Sequence, residues 1–257
     1  MKVWAIALNT FREAIRNKIL YSVILFAILV VGVSALFGSV TMGSQIKVIK
    51  DFGLFSLSFF GAIITILSGV SLLNKELKQK TVYNILSKPV QRWQFILGKH
   101  LGLTGTVAVL VAIMGMGLIS FVGLMEGRLD ILLIEGVLFA ILEVAVIASV
   151  SIFFSSLVVT TTLSGLFTLG TYVAGRSIAY FKFFMQQGEN YDPTLATVLK
   201  VFDCILPDLS LFNFSELLVY GQSPTPGDLI YAVLYCFGYS IAALTLAALI
   251  FQRRELV

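Results

Sequence analysis

Few residues in this 257-residue chain can do chemistry. It holds one histidine, His100, and two cysteines, Cys204 and Cys236. A zinc centre needs His, Cys or carboxylates gathered together. A histidine-driven nucleophile needs its base and an orienting acid close by. Neither set surrounds His100, which reads as a hydrogen-bonded residue at a membrane interface. Cys236 sits in an apolar run and Cys204 in a polar segment, which argues against a disulfide. No G-x-x-x-x-G-K-[ST] phosphate loop is present, and "GKHLGLTG" at 98–105 offers glycines without that spacing. What remains is three charges inside apolar runs, Glu135, Glu143 and Arg176. Beside them stands one dense basic stretch, "NKELKQKTVYNILSKPVQRWQFILGKHLG" at 74–102, with six Lys/Arg and Pro89.

The surroundings of these residues explain their cost. The chain is 58% hydrophobic and 12% charged, about half the charge of an ordinary soluble domain. Six continuous runs are long enough for the ~20 residues of a membrane-crossing helix: 19–40, 52–73, 101–125, 131–154, 157–181 and 229–251. The strands of an outer-membrane barrel would instead alternate apolar and polar over about ten residues. The expected fold is therefore an all-α polytopic membrane protein, one transmembrane domain over 1–257 with six spans. "VSA" at 33–35 loosely resembles a signal-peptide cleavage site. The apolar run continues past it, so the first run reads as a signal anchor.

Charge at membrane depth is costly and usually faces a bundle interior. Arg176 lies five residues from the outer end of run 157–181, about 7–8 Å. That depth matches Glu135 and predicts that the two pair. Glu143 lies eight residues below Glu135, about 12 Å deeper, with no partner at its own level. Two readings of Glu143 stand at this point. It is a polar point in a translocation path or gate, or a hydrogen-bonded carboxyl group that ties helices together.

Lys and Arg set the orientation. Residues 1–18, 74–100 and 252–257 carry twelve of them and three acids, for a net charge of +9. The opposite loops carry five and nine acids, for a net of −4. Both termini and the basic stretch are thus expected in the cytoplasm of a cell whose inner membrane holds the protein. The basic balance reflects topology and anionic lipid contact, with no call for nucleic acid.

The loops have their own patterns. In 1–18, Trp4, Leu8, Phe11 and Ile15 share one helical face, as in a helix lying in the membrane interface. In the basic stretch, Asn74 is placed to cap a short helix with Glu76 in its first turn. Val82, Ile85 and Leu86 form an apolar stripe beside Thr81, Tyr83 and Asn84, and Pro89 stops the helix near Ser87. A second helix then starts, with Trp93 and Phe95 at interface depth and Arg92, Lys99 and His100 near the headgroups. The outer segment 182–228 offers a helix start at Asp192-Pro193, with an apolar stripe of Leu195, Val198, Leu199, Phe202 and Leu206. A second short helix in "NFSELLVYG" has Asn213 and Glu216 at capping-box spacing and Gly221 as its stop. "QSPTPGD" reads as a turn into the last span. Such a segment suits a lid, a dock for a periplasmic partner, or simple packing on the bundle.

The pattern Glu76, Lys80-Thr81, Leu86-Ser87, Pro89-Val90, Arg92, Phe95, Leu97-Gly98-Lys99 and Gly102 resembles the first cytoplasmic loop of ABC type-2 exporter permeases. The similarity runs over the whole chain and is greatest to the branch associated with maturation of nitrous-oxide reductase and other multicopper enzymes. The resemblance implies that the loop is a coupling helix, with Glu76, Lys80, Thr81, Val82, Tyr83, Asn84, Ile85, Leu86 and Ser87 docking on a separate ATPase subunit. It also implies two permease copies and two ATPases, with ATP and Mg²⁺ on the ATPase and no cofactor or catalytic residue in this chain.

Overall fold

The computed structural model describes residues 2–15, 24–25, 28, 32, 36, 45–78, 91–158, 160–187 and 205–253. Among these residues every regular element is helical. In chain order they are α1 (Lys2–Ile15), α2 (Gln45–Lys78), α3 (Arg92–Glu126), α4 (Leu132–Leu157), α5 (Thr161–Gln187), a 3-10 turn (Leu209–Phe212), α6 (Ser215–Val219) and α7 (Pro226–Arg253). Four segments are long and apolar enough to cross a bilayer: Ile46–Leu72, Arg92–Glu126, Leu132–Leu157 and Pro226–Arg253. The fifth run forms α5, which is not among them. Its 27 residues include Thr161, Thr162, Ser164, Thr168, Thr171, Ser177 and Arg176. Most of the first run, 19–40, lies outside the described residues, as do Lys80–Ser87 and the Asp192-Pro193 helix start.

α4 is the central element. Its Val137, Ala140, Val144 and Ala148 pack with Leu57 and Ile64 of α2 and with Leu103, Val107 and Val111 of α3. Its other side meets Ala62, Tyr172, Leu209, Phe212, Ala232 and Cys236 through Phe139, Val146 and Ile147. Hydroxyl residues within these helices turn back on their own backbone. Thr65 donates to Gly61 O at 2.7 Å, Thr106 to Gly102 O at 2.7 Å and Ser149 to Val146 O at 2.7 Å. This satisfies the hydroxyl without a partner helix.

Helix ends depart from the apolar runs. Asn74 does not cap a new helix, because α2 continues through it and through Glu76 to Lys78. The segment Asn74–Lys78 contains no Gly or Pro, and Lys, Glu and Leu all favour a helix. α3 starts at Arg92, beyond Pro89 as expected. Two of its first residues pack on the end of α7. Phe95 is buried and stacks on Phe251 at 5.9 Å. Arg92 donates through Nη1 to Phe251 O (2.8 Å) and Gln252 O (2.9 Å), satisfying carbonyls at the end of α7. Lys99 and His100 are buried too. The Nδ1 of His100 has no hydrogen-bond partner among the described residues.

The cover over this end of α3 is α1. A Cβ on Gly98 would sit 2.8 Å from Ile6, and one on Gly102 would sit 2.6 Å from both Ala7 O and Thr10 Cβ. Small residues four apart let the two backbones nearly touch. Ala7 and Thr10 are buried in that contact, while Trp4 (71% exposed) and Leu8 point away from it. The helix is thus apolar on both sides, one for α3 and one for lipid. α1, the start of α3 and the end of α7 consequently lie on one face of the bundle.

The opposite face is tied by ions. Lys50, at the start of α2, is buried between Glu126 (2.5 Å) and Asp130 (2.6 Å), at the turn from α3 to α4. Asp130 also accepts from Leu132 N at 3.0 Å and so opens α4. The second short outer helix is present as α6, with Gly221 at φ +77° stopping it. Its N-cap is Phe214, without a side-chain cap; Asn213 instead accepts from Ser215 Oγ at 2.7 Å. Most of "PGD" is helical rather than turn. Thr225 caps α7, and its N–H donates to Asp228 Oδ2 at 3.0 Å while Asp228 N donates to Thr225 Oγ1 at 3.3 Å.

A substitution pair tests the α1 contact. Gly102→Ala forces the helices apart and is expected to lower thermal stability in detergent by about 1–3 kcal/mol. Gly238→Ala on α7, with nothing within 4 Å of the added Cβ, is expected to be neutral or to stabilise by up to about 1 kcal/mol. Equal effects at the two positions would remove the close contact as a stabilising feature.

Candidate functional site

Halfway through the bundle, three helices bring polar side chains to one point. Ser58 comes from α2, Glu143 from α4 and Arg176 from α5. The Ser58 hydroxyl donates to Glu143 Oε2. Arg176 Nη2 donates to Ser58 Oγ at 2.7 Å. Arg176 Nε lies 3.2 Å from Glu143 Oε1. Tyr172 lies one turn earlier on α5 and is buried. The Glu143 side chain is 2% exposed and that of Arg176 19%.

The sequence-predicted pairing of Arg176 with Glu135 is therefore wrong, and Glu143 is not alone at its depth. The error lies in where α5 ends. The helix carries on through Lys182 to Gln187, past the apolar run that was used to measure depth. Counted from the true outer ends, Arg176 and Glu143 are each eleven residues in, about 16 Å. Glu135 stays near the surface and accepts from Ser223 Oγ at 3.0 and 2.9 Å.

Charge compensation explains how a carboxylate and a guanidinium persist at this depth. An ion removed from water needs both an opposite charge and hydrogen bonds for its remaining polar atoms. The Ser58 hydroxyl supplies one by accepting from the cation and donating to the anion. Satisfaction is incomplete: the approach of Nε to Glu143 Oε1 is out of line, so Oε1 has an ionic neighbour but no hydrogen bond among the described residues. A half-satisfied carboxylate is suited to taking a water or a polar ligand group when the helices part.

Of the other sequence-predicted site residues, Glu76 lies on the last turn of α2, and Lys80, Thr81, Val82, Tyr83, Asn84, Ile85, Leu86 and Ser87 lie outside the described residues. Sequence reasoning missed Ser58, one of two hydroxyls in "FSLSFF", which carries no mark of its role. It also missed the Lys50 cluster and the ion pair of Lys182 with Asp208, at 2.7 Å. Alternation of outer charges along the chain could have suggested such pairs, but not their partners.

A double-mutant cycle tests the buried group. Glu143→Gln or Arg176→Leu alone is expected to cost about 3–5 kcal/mol, with the double variant recovering part of the loss. Glu135→Leu with Arg176→Leu should be additive. Additivity in the Glu143–Arg176 cycle would show that the two charges do not act together.

Sequence comparison agrees with this architecture. A search of curated proteins finds no match. The family model described as "ABC-2 family transporter protein" matches residues 4–256, nearly the whole chain. Membrane subunits of this kind carry no ATPase site of their own and normally work with an ABC ATPase. With several apolar helices around a central span and a family match from end to end, the chain belongs to the ABC-2 transporter family, as a multi-pass membrane permease subunit.

Proposed function

We propose that the chain is the permease of an exporter, moving substrate outward with ATP hydrolysed on a separate ATPase subunit docked at 74–100. The observation that carries this reading is the shared face of α1, the start of α3 and the end of α7. α2 runs antiparallel to α3, with Gly53 against Leu118, Gly61 against Val111 and Gly69 against Leu103, so its Lys78 end points toward that face. Push applied there meets α3 first, then α7 through Arg92 and Phe95, and α1 through Gly98 and Gly102. Glu76 and residues 80–87 make the docking knob, with ATP and Mg²⁺ held by the ATPase. Two permeases, as a homodimer, and two ATPases complete the assembly in the inner membrane, with both termini cytoplasmic. Glu143 and Arg176 form the polar point of the path.

A second reading has the same parts passing motion to a periplasmic partner at 182–228, with no cargo crossing, as in metalloenzyme maturation. It is favoured by the packing of the outer segment directly on α5, at Gly175 beside Arg176. A nonenzymatic assembly scaffold is the third.

Three experiments test the proposal. Glu76→Ala, and Ile85→Asp with Leu86→Asp, are expected to release or uncouple the ATPase while the spans remain inserted; normal copurification and coupled ATP hydrolysis in both would overturn the docking site. Cysteine labels in 75–88 and in α1 should be protected in intact cells, and labels in 186–192 should react. Flux in vesicles containing permease and ATPase separates export from motion alone.

A further inference from the structure

Residues 205–212 cross the outer end of the bundle and are fixed at both sides. On the α5 side, Pro207 O sits so close to Gly175 that an added Cβ there would lie 2.4 Å from it. Asp208 Oδ2 accepts from Lys182 Nζ at 2.7 Å. On the α7 side, Asp208 N donates to Tyr235 OH at 2.7 Å, and Tyr239 OH donates to Ile205 O at 3.2 Å. Asp208 Oδ1 accepts from Ser210 N at 3.1 Å and holds the 3-10 turn. That turn drives Leu209 and Phe212 into the core, where they share a cluster with Tyr172 and Cys236.

Two of these contacts flank Arg176. Gly175 is its neighbour in the chain, pressed by the Pro207 carbonyl. Tyr172 is one turn away on the same helix, packed in the cluster of Leu209. Arg176 in turn reaches both α2 and α4 through Ser58 and Glu143. The outer segment and the buried pair therefore hold α5 from two ends of one short stretch. We propose that residues 205–212 are a strap that sets the position of α5, so that lifting the strap and parting Arg176 from Glu143 are one coupled movement. Coupling of this kind is reciprocal: whatever loosens the pair loosens the strap by the same factor. The inference concerns this chain alone and does not depend on whether cargo crosses.

Cys236 is a native reporter. It is 4% exposed, in the same core as Leu209 and Phe212. In a Cys204→Ser background it is the only cysteine. The full-length protein in vesicles is labelled with a charged maleimide applied to both faces. Lys182→Gln and Asp208→Asn, which release the strap, should speed labelling about tenfold, within the ordinary range of coupling between linked sites. Glu143→Gln, which keeps the shape of the side chain, and Arg176→Leu should speed it by a similar factor, although neither touches the contacts of Pro207 and Asp208 with Gly175, Lys182 and Tyr235. Lys50→Ala, which breaks the other outer ion cluster, should leave the rate near that of the parent. Faster labelling in the strap variants with an unchanged rate in Glu143→Gln would overturn the coupling. An equal acceleration in Lys50→Ala would overturn it as well, by showing general loosening.

Discussion

A full charge in the middle of a bilayer has to be answered by another charge at the same depth, and most of this bundle is arranged around that requirement. Glu143 belongs to the helix that touches nearly all the others. Its counter-ion arrives on α5, the least apolar of the long helices, and the hydroxyl between them arrives on α2. The three helices cannot slide independently without separating Glu143 from Arg176 or leaving Ser58 facing one charge only. The penalty for either is several times the net worth of an ordinary hydrogen bond. The polar group thus fixes register in a place where apolar packing alone would tolerate many registers, because lipid is as good a solvent for leucine as another helix is.

The two ends of the bundle are secured by different means. At the inner end, contact is made through backbone proximity and aromatic stacking: α1 lies on the small residues of α3, and Phe95 lies on Phe251 with Arg92 closing the last turn of α7. At the outer end the ties are ionic, at Lys50 and at Lys182. The Lys50 cluster is nearly closed to solvent, with side chains 9–14% exposed, whereas Lys182 is 41% exposed. A buried pair is screened far less than an exposed one, so the two ties at this end differ in how far salt can loosen them.

Much of the architecture was legible in the chain. Continuous apolar runs marked the long helices, Pro89 marked the start of α3, and Gly221 marked the end of α6. What was not legible was depth. An apolar run measures the lipid-facing length of a helix, whereas a helix ends where its backbone meets a breaker or a cap. α5 and α2 both outrun their apolar stretches for that reason, which misplaced Arg176 by enough to pair it with the wrong glutamate and turned Asn74 into an imagined cap. Lys99 and His100 are a different case. Both are buried beside the glycines that seat α1, and nothing in "GKHLG" except the glycine spacing announces that contact. Ser58 could not be singled out among similar hydroxyls, because its role exists only once α4 and α5 are beside it.

The seating of α1 has one more effect. This helix grips α3 by Ala7 and Thr10 while Trp4 and Leu8 face outward, so it is carried like an outrigger on a moving hull. Any tilt or rise of α3 carries α1 with it, and with it the exposed Trp4 and Leu8. For a helix that lies in a membrane interface, depth is set by buried apolar area and by lipid composition. In that setting the bilayer surface is a spring in series with α3, and the stiffness of that spring belongs to the lipids.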